Sequence, residues 1–67
     1  MGTPEWAKAI EVDAVIETWD GLYAETEREL IRLAPIHLGT VTLSAIWGKL
    51  SEDARENLWE IIDTRAN

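Results

Sequence analysis

Residues 50–63, LSEDARENLWEIID, have the pattern of an amphipathic helix. Ser51 is a favourable N-cap because its hydroxyl can accept a hydrogen bond from a free backbone N–H of the first turn. Glu52 and Asp53 follow it, where the helix dipole favours negative charge. The apolar residues recur at spacings of three and four and share one face, with Trp59 at its edge: Ala54, Leu58, Ile61 and Ile62. The segment therefore predicts a helix that packs on a core through this face.

The N-terminal half of the chain also carries helix signals. Thr3 predicts an N-cap, Pro4 fits the first helical position, and Asp20-Gly21 is a turn signal. The apolar positions nevertheless keep helical spacing across that turn: Ala9, Val12, Ile16, Trp19, Tyr23, Leu30 and Leu33. Because one interior glycine costs only about 1 kcal/mol relative to alanine, the pattern allows two interpretations. Residues 4–34 form either one continuous or bent helix, or two helices separated at Gly21.

Residues 33–48, LAPIHLGTVTLSAIWG, are sixteen consecutive residues without a charge. We expect a helix here that begins near Pro35, or with Thr40 as its N-cap, and ends near Lys49. One apolar face of that helix would consist of Ile36, Leu43, Ile46, Trp47 and Leu50, and a smaller face of Leu38, Val41 and Ala45. The β-branched residues leave a second interpretation, in which residues 36–46 pair as a strand with the same segment of a second chain.

Length and composition predict a single small helical domain over residues 1–67. The sequence has no cysteine for disulfide bonds, and a chain of this length buries only about 60% of its unfolded surface. The first and third predicted helices each show a second apolar stripe, which in the first consists of Trp6, Ile10 and Ala14. Small domains often gain stability by oligomerisation. We therefore expect an all-α bundle of three to four helices that is completed by oligomerisation as a homodimer.

The sequence contains four tryptophans and no phenylalanine. Trp19 and Trp47 lie on the main apolar stripes, which predicts that both belong to the core. Trp6 and Trp59 lie beside those stripes. Because tryptophan is enriched among the residues that dominate binding energy at interfaces, we expect Trp6 and Trp59 to contact a partner; the alternative is ordinary packing at the ends of the bundle.

The charge of the chain is strongly negative and unevenly distributed. Its formal net charge is -7, and residues 1–29 hold eight acidic side chains against Lys8 and Arg28. Nucleic acids and anionic membranes are bound by clustered lysine and arginine, so we expect neither as a partner. A protein with a basic surface is the natural complement. Glu25 and Glu29, in the acidic region 11–29, are the candidate contacts.

The pattern of reactive residues does not indicate catalysis. His37 is the single histidine, and no acid or cysteine lies at a fixed spacing from it. Nucleophile motifs and glycine-rich phosphate loops are missing from the sequence. Acid pairs at helical spacing, such as Asp13 and Glu17, fall on polar faces where their charge is solvated. We therefore expect no enzymatic activity, no cofactor and no metal site.

The sequence shows no targeting segment. Its first residues lack the basic and apolar regions of a signal peptide. The uncharged run at 33–48 is too short to span a bilayer and contains polar side chains. These features predict a soluble, cytoplasmic protein.

These patterns together predict a small acidic protein-binding module, a regulator, inhibitor or adaptor, that acts through apolar helix faces as a homodimer. The candidate contact residues are Trp6, Ile10, Trp59, Glu25, Glu29, Leu38 and Val41. Two alternatives remain. Carboxylates could imitate the phosphates of a nucleic acid and so block a DNA- or RNA-binding protein. A phage-encoded inhibitor of a host defence system would act in this way. The chain could instead be a structural subunit of a larger assembly.

Overall fold

The computed structural model describes residues 2–34 and 41–66 and shows a small all-α fold. It is 72% helical, and no strand occurs in the described residues. The expected all-α class and the expected number of three to four helices are therefore confirmed for these residues. The α-helices are α1 (Val12–Thr18), α2 (Ala24–Leu33), α3 (Leu43–Ile46) and α4 (Glu52–Ala66), and short 3-10 helices cover Glu5–Lys8 and Trp47–Lys49.

A turn separates α1 from α2, so the interpretation of residues 4–34 as one continuous helix is wrong. Gly21 has a φ of 97°, a conformation that glycine adopts without strain. The side chain of Asn57, in α4, holds this turn. Its Oδ1 accepts a hydrogen bond from the backbone N–H of Tyr23 at 2.9 Å, and its Nδ2 donates to the carbonyl of Gly21 at 3.0 Å. The partly buried backbone groups of the turn thus gain partners from α4.

The helical structure is also interrupted between Lys8 and Val12, before α1, which the sequence did not predict. The N-cap of the first 3-10 helix is Pro4 rather than Thr3, and α1 begins only at Val12. Residues 10–12 pair instead with residues 41–43, in an antiparallel bridge between Glu11 and Thr42. The N–H of Val12 donates to the carbonyl of Val41 at 2.8 Å, and that of Leu43 donates to Ile10 at 2.9 Å.

Because of this pairing, the apolar helix face predicted for Trp6, Ile10 and Ala14 does not form. Backbone groups that pair with another segment cannot also form the hydrogen bonds of a continuous helix. Trp6 lies in the 3-10 helix, and Ala14 is exposed on α1. The three residues therefore do not share one helix face.

The middle helix is shorter than predicted. α3 contains four residues, with Thr42 as its N-cap, and passes into the 3-10 helix at Trp47. The suggested starting points Pro35 and Thr40 lie outside the described residues. Residues 41–43 pair within the chain.

The core is formed by all the helices together. The largest fully buried side chains are Val12, Val15, Leu30, Leu43 and Leu58. Burying one such side chain contributes about 1.5–3 kcal/mol. Trp47 is buried, with 2% of its surface exposed, and so is Trp19 at 9%, as the main stripes predicted. On α4, the expected inward face is confirmed, since Ala54, Leu58 and Ile61 are buried and Ile62 is half-buried.

The start of α4 is connected to α2 by two hydrogen bonds between Ser51 and the side chain of Glu29. The hydroxyl of Ser51 accepts a bond from the N–H of Ala54 at 3.2 Å, which confirms the predicted N-cap. The carboxylate of Glu29 in turn accepts bonds from the N–H and the hydroxyl of Ser51. Among the described residues, no helix is both long and apolar enough to cross a membrane.

Candidate interaction surfaces

Three tryptophans pack against one another at one end of the molecule. The ring of Trp6 meets Trp47 edge to face, with centroids 5.5 Å apart, and meets Trp59 in the same way at 5.2 Å. Such pairs add about 0.5–1.5 kcal/mol each beyond their buried area. Trp6 and Trp59 are half-buried. Both predicted contact residues therefore stabilise the fold, and only their exposed parts are open to a partner.

The indole N–H groups of Trp6 and Trp59 are buried and have no hydrogen-bond partner among the described residues. A buried donor without an acceptor normally costs about 1–3 kcal/mol. In an edge-to-face pair, an N–H can point at the face of the neighbouring ring, which is a weak acceptor. The perpendicular rings of the cluster suit that contact.

Two other predicted contact residues, Ile10 and Val41, lie at opposite ends of the antiparallel pairing, where Ile10 is hydrogen-bonded to Leu43 and Val41 to Val12. Both are half-buried and pack against the core. Leu38, the third apolar candidate of the uncharged stretch, lies outside the described residues. So does His37. Ala45, on the same predicted face as Val41, is exposed.

The two acidic candidates fall in different surroundings. Glu29 is half-buried and binds Ser51 with both carboxylate oxygens, at 2.8 Å to the N–H and 2.6 Å to the hydroxyl. These hydrogen bonds and the nearby charge of Arg32 hold the pKa of Glu29 below its usual value of 4.5, against a smaller opposing effect of burial. Glu29 therefore has a structural role. Glu25 is exposed and lies on the surface described next.

A shallow groove that we call the Tyr23 groove lies between the start of α2 and the outer face of α4. Tyr23 is 58% exposed. The groove is lined by Tyr23, Glu25, Asp53, Glu56, Asn57 and Glu60. All of its charged lining residues are acidic. An exposed aromatic ring among carboxylates, with no lysine or arginine in the lining, is a surface suited to a cationic side chain.

The Tyr23 groove was not predicted from the sequence. In the sequence, Tyr23 continues the apolar spacing of α1 across the turn signal at Asp20-Gly21. In the structure it is the N-cap of α2, with extended backbone angles of φ -72° and ψ 151°. The turn at Gly21 therefore changes the direction of the chain immediately before Tyr23. The Asp20-Gly21 pair was the sequence signal that could have indicated this change of chain direction.

A second groove, the Trp59 groove, adjoins the first. It is lined by Glu56, Trp59, Glu60 and Asp63. Because Glu56 and Glu60 line both grooves, they lie between the two aromatic residues. We call the exposed surface formed by Tyr23, Glu25, Asp53, Glu56 and Glu60 the acidic face.

The acidic face follows from the periodicity of α4. Asp53, Glu56 and Glu60 are three and four residues apart and project from the side opposite Ala54 and Leu58. Like charges at this spacing destabilise a helix by about 0.2–0.5 kcal/mol per pair. The one ion pair in the described part of the chain, Lys8 with Glu5 at 3.5 Å, is exposed and lies elsewhere. No carboxylate of the acidic face therefore forms an ion pair within the described residues.

The described residues contain no group of three or more histidine, cysteine or acidic side chains arranged to hold a metal ion. Comparisons with protein-family models, curated proteins and solved structures gave no significant match.

Proposed function

We propose that the chain is a small acidic protein-binding module whose acidic face binds a basic surface of a partner protein. The observation that carries the proposal is Tyr23, which is 58% exposed in a groove whose charged lining is entirely acidic. Tyrosine is enriched among the residues that dominate interface energy. Such a module acts in the cytoplasm as a regulator, inhibitor or adaptor of its partner.

Electrostatics gives this surface both attraction and selectivity. Charges within about 8 Å of one another interact appreciably at physiological ionic strength. Several carboxylates around one ring therefore attract cations together and repel acidic partners. Tyr23 adds contact area that lysine- or arginine-containing partners can cover.

A random peptide library displayed on particles tests the proposal without knowledge of the partner. We expect selection on the intact chain to enrich peptides that contain lysine and arginine. The double variant Glu56→Gln, Glu60→Gln should bind them more weakly. The matched control is Glu17→Gln, Glu27→Gln, which removes the same charge at exposed positions outside both grooves. Enrichment of apolar peptides that bind both double variants equally would contradict the proposal.

Self-association remains part of the proposed function. The uncharged stretch 33–48 supports it, and Val41 and Ala45 in that stretch retain exposed surface. Light scattering behind a sizing column, at low and high salt, measures the mass directly. A dimer mass that persists at high salt is expected for an apolar interface, and a monomer at tens of micromolar would contradict it.

The regular spacing of the carboxylates on α4 favours imitation of a nucleic acid as a second candidate. Asp53, Glu56, Glu60 and Asp63 span about 15 Å at 1.5 Å per residue, which is roughly one charge per 5 Å. A single nucleic-acid strand carries one charge per about 3.4 Å and a duplex one per about 1.7 Å. The helix alone is thus less densely charged than a nucleic acid. A partner that binds this chain and a nucleic acid in competition would support imitation.

A further inference from the structure

We infer that the Tyr23 groove accepts an arginine side chain of the partner, whose guanidinium stacks on the Tyr23 ring and donates hydrogen bonds to the surrounding carboxylates. This inference rests on the proposed function and specifies the contact at its centre. The occupant is therefore an arginine-containing segment of a basic protein.

The backbone that carries the Tyr23 ring is held in place by hydrogen bonds. Its backbone N–H donates to Asn57, a side chain that is only 3% exposed, and the same amide also holds Gly21. The ring itself is largely exposed. A contact residue whose backbone is already positioned loses less conformational entropy when a partner binds. The groove is in this sense ready to receive a planar group.

Arginine fits the lining better than lysine for three physical reasons. Its guanidinium is planar and stacks on aromatic rings, and it can donate two parallel hydrogen bonds to one carboxylate. The guanidinium is also less strongly hydrated than the ammonium group of lysine, so its transfer out of water costs less free energy. Glu25, Glu56 and Glu60 supply carboxylates around Tyr23.

The chain already contains this kind of contact beside the groove. The guanidinium of Arg65 lies 4.9 Å from the centroid of the Trp19 ring. Arg65 lines a neighbouring pocket together with Tyr23 and Glu60. Among the described residues, no arginine or lysine lies over the ring of Tyr23 in the same way. Tyr23 is thus an exposed aromatic ring next to carboxylates on which no cation of the described residues is stacked.

The other aromatic surfaces of the molecule fit a guanidinium less well. The pocket between Trp47 and Trp59 already contains Arg55 in its lining. In the Trp59 groove, the ring of Trp59 packs against Trp6 and is half-buried. Tyr23 is the more exposed of the aromatic rings and makes no aromatic pair in the described residues.

The test is calorimetric titration of the full chain with two peptides of equal length and charge. One contains four arginines separated by glycine and serine, and the other contains lysine at the same positions. A cation–π contact at an exposed site corresponds to roughly a 2- to 5-fold change in affinity. We expect the arginine peptide to bind more tightly than the lysine peptide by up to that factor, because lysine can also contact the face of the ring but does not stack on it.

Two variants of Tyr23 separate the effect of its aromatic face from the effect of its apolar volume. Tyr23→Phe keeps an aromatic face and should keep the preference for arginine. Tyr23→Leu keeps an apolar side chain and should reduce the preference, because the guanidinium loses the ring on which it stacks while its hydrogen bonds to the carboxylates remain. Because Tyr23 is exposed, both variants should show the helical circular dichroism of the parent chain, which is measured on the same samples.

The outcomes distinguish the inference from the proposed function. If the two peptides bind equally, Tyr23→Leu weakens neither, and Glu56→Gln, Glu60→Gln weakens both, the arginine contact is wrong and the acidic face is retained. If neither peptide binds, or if the control Glu17→Gln, Glu27→Gln weakens binding as much, the proposed function fails together with the inference.

Discussion

Glu29 and Ser51 connect the middle of one helix to the beginning of another. Both carboxylate oxygens of Glu29, in α2, accept hydrogen bonds from Ser51, which precedes the first residue of α4. The hydroxyl of Ser51 meanwhile accepts a bond from the N–H of Ala54. One serine thus caps α4 and attaches it to α2.

Replacing Ser51 by alanine should therefore lower the free energy of unfolding by about 1–2 kcal/mol, because both the cap and the link to Glu29 are lost. Urea unfolding followed by circular dichroism measures this. In a double-mutant cycle with Glu29→Ala, the two losses should not add. Glu27→Ala, an exposed acid on the same helix, is the control and should change little. Additive losses would contradict the link.

The Glu29–Ser51 contact should also make stability depend on pH. The pKa of Glu29 is lowered from 4.5 by the hydrogen bonds of Ser51. The folded state therefore favours the charged carboxylate, and this contribution is present above about pH 4.5 and is lost as the pH falls through the lowered pKa. The difference in unfolding free energy between the parent chain and Glu29→Gln should shrink over that acidic range. A difference that stays constant there would contradict the prediction.

Asn57 should be one of the more sensitive polar residues of the chain. Its amide is buried and pairs with the backbone of Tyr23 and Gly21. Asn57→Ala leaves both backbone groups without this partner and should cost about 2–3 kcal/mol. Thr64→Ala is the comparison, since Thr64 also bonds a backbone carbonyl but is exposed, and it should cost far less. Equal costs for the two variants would show that the turn does not depend on Asn57.

The tryptophan cluster predicts an asymmetry between two substitutions of Trp6. Trp6→Ala removes the ring that packs on both Trp47 and Trp59 and should cost about 3 kcal/mol. Trp6→Phe keeps an aromatic ring and removes a buried N–H that has no hydrogen-bond partner in the described residues, so it should cost less than about 1 kcal/mol. Chemical unfolding of both variants measures the difference. A phenylalanine variant as unstable as the alanine variant would indicate that the N–H makes an essential contact.

The parts of the fold that depend on local signals were predicted from the sequence. α4 is an example, because Ser51 caps it and the spacing of Ala54, Leu58 and Ile61 defines its buried face. The interruption before α1 was missed because it depends on pairing with residues 41–43, far away in the sequence. No local propensity contains that information.

The candidate site was predicted only in part, for a related reason. The acidity of the surface and Glu25 were identified from composition. The exposure of Tyr23 was missed because α1 and α2 pack on one core, so that their apolar spacing continues across a turn that separates them. Trp6 and Trp59 were recognised as lying beside the main stripes, but their contact with each other depends on the tertiary fold.

The central claim is that the acidic face around Tyr23 binds basic protein segments, and amide chemical shifts in NMR spectra test it most directly. The intact chain is titrated with the four-arginine peptide at physiological salt. The account predicts that the largest shifts fall on Tyr23, Glu25 and residues 53–60. Shifts spread evenly over all acidic residues, or concentrated at Ile10 and Val41, would contradict it.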